Sequence, residues 1–64
     1  MLPTYIFYID GVRYSTLYFS SDKRAKKYAS DLSNEVEYKT ITIRRIRPGE
    51  TWFKVIFTLN DFTK

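Results

Sequence analysis

The sequence holds no cysteine and no histidine, and only two glycines and two prolines in 64 residues. Without cysteine there is no disulfide framework and no thiolate ligand; without histidine the commonest zinc ligand and the commonest general base are missing. Two glycines cannot build a phosphate-cradling loop, and no P-loop or dinucleotide-binding pattern occurs. Long apolar runs are lacking too. Met1 to Ile9 has no basic leader and ends at Asp10, so it fits neither a membrane span nor a secretory leader. Small secreted domains are usually stapled by disulfides, and a chain of this size without them is expected in the cytoplasm.

Carboxylates are few and scattered: Asp10, Asp22, Asp31, Glu35, Glu37, Glu50 and Asp61. Only Glu35 and Glu37 could share a face, near the start of an edge strand with no third oxygen ligand expected beside them. Paired-carboxylate catalysis and magnesium binding both need a convergence that this spacing does not offer, and the strand hydroxyls have no base to activate them. The expectation is a protein that is not an enzyme, with no metal, no cofactor and no small-molecule substrate.

What the chain does have is aromatic mass: six Tyr, five Phe and one Trp make up 19% of it. A domain this short buries a modest fraction of its surface, and large rings supply most of what it can bury. The pattern divides into five elements of a single domain spanning residues 1–64. Residues 4–10 (TYIFYID) and 12–19 read as strands joined by Asp10-Gly11, the two-residue hairpin signal in which both positions take positive φ. That loop pairs Ile9 with Val12, Phe7 with Tyr14 and Tyr5 with Thr16, and leaves Ile6, Tyr8, Arg13, Ser15 and Leu17 on the other face. Residues 22–33 form an amphipathic helix, capped by the Ser20-Ser21-Asp22 stretch, with Ala25, Tyr28, Ala29 and Leu32 in one stripe and Asn34 as the stop. Strands over 37–47 and 51–59 form a second hairpin around Pro48-Gly49. A three-residue loop pairs Ile43 with Val55 and Ile41 with Phe57, with a bulge near Arg44-Arg45, and turns Tyr38, Thr40, Thr42, Arg44, Ile46, Trp52, Lys54, Ile56 and Thr58 away from the helix.

Strand, strand, helix, strand, strand is an α+β layout. The first and last strands are the most apolar, which predicts a four-stranded mixed sheet of order 2-1-4-3 with the two central strands parallel and one helix on one face. This β-grasp-like layout, from Thr4-Tyr5 and Ile9-Asp10-Gly11 through the helix stretch Ala25 to Asp31, resembles that of the immunoglobulin-binding domain of protein G over almost the whole length. The resemblance implies a fold only; no ligand is carried over, because the helix here is basic.

The formal net charge of +4 is concentrated rather than spread. Lys23, Arg24, Lys26 and Lys27 fill the first two helical turns, and Arg44, Arg45 and Arg47 close the third strand. Cations near a helix N-terminus oppose the macrodipole at roughly 0.3 to 1 kcal/mol each, so solubility alone does not account for that placement. The outward sheet face is expected to hold Tyr8, Ile6, Ile46, Ile56 and Trp52 beside Arg13, Arg44 and Lys54, where ordinary strand alternation would give Thr, Ser, Lys and Glu. Cross-strand packing alone would use such residues. A nucleic-acid surface would use the same set, with Arg13, Arg44 and Lys54 on phosphates, Trp52 and Tyr8 stacking, and Lys23, Arg24, Lys26, Lys27, Arg45 and Arg47 adding attraction. A protein interface would use Trp, Tyr and Arg as anchors. The first expectation is a non-catalytic basic protein that binds nucleic acid. The alternative is an interaction module or inhibitor that binds an acidic protein surface, of the compact kind mobile genetic elements encode, with homodimerisation as a variant.

Overall fold

The computed structural model describes residues 1–61. It is a small α+β domain: β1 (Thr4–Ile9), β2 (Val12–Tyr18), α1 (Asp22–Ser33), β3 (Thr40–Ile46) and β4 (Lys54–Asn60). The helix has the predicted limits. Ser21 is its N-cap, with extended backbone and a hydroxyl that accepts the Arg24 N–H at 3.3 Å, and Ala25, Ala29 and Leu32 are its buried stripe.

The four strands form one sheet of order β2-β1-β3-β4, antiparallel throughout. The expected order 2-1-4-3 with a parallel central pair is therefore corrected: β3, not β4, lies beside β1, pairing Tyr5 with Arg45, Phe7 with Ile43 and Ile9 with Ile41. Asp10 shows what places it there. At φ 50° in the hairpin turn, it accepts the Lys39 and Thr40 N–H groups on Oδ1 at 2.9 and 2.8 Å, while its own N–H donates to the Thr40 carbonyl at 2.8 Å. The first hairpin thus holds the start of β3 against the end of β1. Asp10→Ala removes a charged acceptor of two amides and puts alanine at positive φ, so it is expected to cost about 2 kcal/mol in urea unfolding, and Asp10→Asn less than half of that.

Two bulges reset the faces. Phe7 pairs with Ser15 and Tyr8 with Arg13, which leaves Tyr14 as the extra residue of β2. Tyr5 therefore faces Leu17 rather than Thr16, and Ser15 and Leu17 turn to the helix side, against expectation. On β4, Ile43 pairs with Phe57 and Arg44 with Val55, so Ile56 is the extra residue. The predicted bulge position was adjacent, but the register is shifted by two from the expected Ile43–Val55 pair. The consequence is a reversal below the bulge: Val55 is exposed, Lys54 lies opposite Arg45 on the helix side, and Ile56 packs on the core. Tyr38, expected outward, is buried just ahead of β3. The connection from β3 to β4 runs over residues 47–53 and is longer than the predicted three-residue loop; Gly49 takes φ 89° in its turn.

Tyr5, Phe7, Ala25, Ala29, Tyr38, Ile41 and Ile43 are the core. Phe7 meets Tyr28 edge-on with centroids 4.9 Å apart, and Phe19 meets both Tyr5 and Phe7 edge-on. A polar hub joins three elements at one edge of this core. Asp22 accepts the Tyr5 hydroxyl on Oδ1 at 2.7 Å and the Arg45 Nη1 on Oδ2 at 2.5 Å. Burial first, and then the Asp22 carboxylate that accepts its proton, push the Tyr5 phenol up from 10.0 to about 12. Because the unfolded phenol ionises first, stability is full below pH 10 and falls as pH rises from 10 towards 12. Alkaline titration of stability is expected to show that fall, and Tyr5→Phe to flatten it.

A positively charged end carrying the one tryptophan

Three inter-strand gaps of about 4.8 Å set the sheet's width near 15 Å, so the 39 Å long axis of the molecule runs with the strands. The antiparallel course then sorts the chain into two ends. One holds the start of β1, the end of β2, the N-terminus of α1, the end of β3 and the start of β4. The other holds the Asp10-Gly11 turn, the C-terminus of α1 and residues 35–39.

Charge follows that division. Lys23, Arg24, Arg47 and Lys54 lie at the first end, with Arg44 just inside it and Lys26 midway along, its Nζ 5.7 Å from the Phe57 ring centroid. The carboxylates at this end, Asp22 and Glu50, are both engaged. Asp22 holds Arg45, and Glu50 accepts the Arg47 N–H at 2.6 Å and closes its own turn by donating its N–H to the Arg47 carbonyl. Asp10, Asp31, Glu35, Glu37 and Asp61 all lie at the other end. A groove of about 710 Å³ lies there, lined by Asp10, Glu37, Tyr38 and Lys39, whereas a smaller one of about 340 Å³ at the basic end is lined by Ser21, Lys23, Arg24 and Lys27. The larger of these two openings is on the acid-rich side.

The expected site residues do not gather in one place. Lys23, Arg24, Arg47, Trp52 and Lys54 come together at the basic end. Tyr8 and Arg44 form a pair on the open sheet face, with the guanidinium carbon 5.4 Å from the ring centroid. Arg13 is exposed on that face at the acid-rich end, next to the hairpin turn, and Lys27 is drawn into an ion pair with Asp31 at 3.3 Å. Arg45 is the clear correction. At 5% exposure it lies under the helix, committed to Asp22, and cannot meet a partner.

Trp52 was expected on the sheet face beside Arg44. It lies instead in the bend before β4, 65% exposed, with the Nζ of Lys54 5.7 Å from its ring centroid. The open face itself carries Thr4, Ile6, Tyr8, Thr42, Arg44 and Ile46 from the central strands, flanked by Arg13, Thr16 and Tyr18 on β2 and Val55 and Thr58 on β4. Among the described residues it carries no carboxylate side chain. The sequence pattern did not point to the polarity along the strands, because that polarity depends on strand direction rather than on composition. Among the described residues no three His, Cys, Asp or Glu side chains converge as a metal site would require, and no helix is long and apolar enough to cross a membrane.

No protein-family model matches the chain, and neither the curated proteins nor the solved structures contain a significant match to it.

Proposed function

We propose that this chain is a non-catalytic nucleic-acid-binding domain that approaches its partner with its basic end. The observation that carries the reading is the separation of charge along the long axis: unpaired cations from α1, the β3–β4 connection and β4 meet at one end, and most carboxylates lie at the other. Such a distribution orients the molecule in the field of a polyanion before contact. Lys23, Arg24, Arg47 and Lys54 then neutralise phosphates. Because each cation–phosphate contact releases a counterion, the test is binding of labelled DNA and RNA across a salt series. Affinity that falls steeply and log-linearly with salt is expected; absence of binding at low salt, or binding insensitive to salt, contradicts the proposal.

A protein partner is the second reading, and one feature favours it. Edge strand β2 exposes Val12, Tyr14 and Tyr18, and an unpaired edge with aromatic side chains suits strand addition by another chain. Partners captured from a lysate that survive nuclease digestion, and that are lost on replacing Tyr14 and Tyr18, support this reading over the first. A second copy at that edge would show as a dimer in light scattering.

A further inference from the structure

We infer that the nucleic acid this domain takes is single-stranded, and that an unpaired base stacks on Trp52. The inference rests on the proposed nucleic-acid reading and names its substrate class. Trp52 is the only tryptophan of the chain, and it contributes nothing to the core: Tyr5, Phe7, Tyr28 and Phe19 supply the ring contacts there. At 65% exposure the indole keeps most of its surface in water, a cost that a packing role would not leave standing.

Its surroundings suit a base. Lys54 places its ammonium 5.7 Å from the ring centroid, which puts a cation where the phosphate of a stacked nucleotide would run. Arg47 opens the same connection, its backbone held by Glu50. An exposed ring beside a cation is the arrangement that tracks a flexible strand, because stacking needs a base with an uncovered face. In an intact duplex both faces of every base are covered by neighbours. Duplex could meet only the cations.

The chain's one indole is also the reporter. Its fluorescence is followed during titration with an oligothymidylate, an oligouridylate and a relaxed, covalently closed circular duplex, at matched phosphate concentration. Both single strands are expected to quench Trp52, to bind more tightly than the duplex, and to lose affinity with salt. Oligothymidylate and oligouridylate differ only modestly if the base face is what is read, and a large gap between them identifies DNA or RNA as the natural strand. Trp52→Ala is expected to weaken single-strand binding by roughly 5- to 100-fold, measured with labelled oligonucleotide, and Trp52→Phe by much less. The exposed position keeps both variants folded, which circular dichroism verifies. Equal affinity for duplex and single strands without quenching, or an alanine variant that binds like the parent, overturns the inference while leaving the charge-based reading intact. Binding of neither at low salt removes the charge-based reading itself.

Discussion

Asp22→Ala is expected to cost about 3 kcal/mol of folding stability, enough to leave a substantial unfolded population at 37 °C, because a domain of this size holds only about 3 to 10 kcal/mol in total. The carboxylate is shared by the Tyr5 hydroxyl and the Arg45 guanidinium, and its removal strands a cation whose side chain is 6% exposed. The Arg45 Nε already has no partner, so the Asp22 contact is what compensates that burial. Burying an unpaired guanidinium is the expensive half of breaking an ion pair. Arg45→Met should therefore be milder, about 1 to 2 kcal/mol, because the carboxylate it abandons is 33% exposed and keeps Tyr5 as a donor. The double variant Asp22→Ala/Arg45→Met should recover much of the single Asp22 loss. Urea unfolding of the three variants measures the asymmetry; equal costs for the two single changes would show that the hub is a surface pair of little consequence.

The second large effect is on binding. Neutralising Lys23, Arg24 and Arg47 together with glutamine removes three candidate phosphate contacts. On a single strand the slope of log affinity against log salt should become shallower by about 2, and affinity at about 0.1 M salt should fall on the order of 100-fold. Arg13→Gln, at the acid-rich end, should change affinity by less than about twofold. Loss of fold is not a competing explanation for the triple variant. Lys23 and Arg24 oppose the macrodipole at the N-terminus of α1, and removing them should raise helix stability by roughly 0.3 to 1 kcal/mol each. A variant that is more stable yet binds more weakly separates the role of these cations from any structural one.

Much of this architecture is legible in the chain. The helix limits follow from Ser21 and the Ala25–Ala29–Leu32 stripe, and the first hairpin follows from Asp10-Gly11. The strand order is not legible, and β4 shows why. Its run Val55-Ile56-Phe57 reads as a strand apolar on both sides, hence central, but the bulge turns Val55 outward while Ile56 and Phe57 both meet the core. The strict alternation of Thr40, Ile41, Thr42 and Ile43 on β3 is what a central strand of a sheet covered on one face requires. One inserted residue reverses every side chain beyond it. That is why Ser15, Leu17 and Lys54 are on the helix side.

The candidate site was legible as a list of residues and not as a place. Lys23, Arg24, Arg47, Trp52 and Lys54 could be named from charge and aromatic content, but their meeting at one end depends on the alternating direction of five elements. Arg45 differs from its neighbour Arg44 in sequence position alone. Alternation sends one to the open face and the other beneath α1, where Asp22 receives it. Asp10 was read as a turn residue, while its carboxylate also anchors β3, a long-range role that no local pattern encodes.

In the proposed function the basic end, and not the open sheet face or the acid-rich end, meets the nucleic acid. Titration of the isotopically labelled protein with oligothymidylate, followed through its backbone and indole N–H resonances, tests this most directly. Shifts are expected to be confined to Lys23 through Lys27 and Arg47 through Lys54, including the Trp52 indole, with Asp10 through Arg13 and Glu35 through Lys39 unmoved. Shifts centred on Arg13, Thr16 and Tyr18, or spread evenly over the molecule, would contradict it.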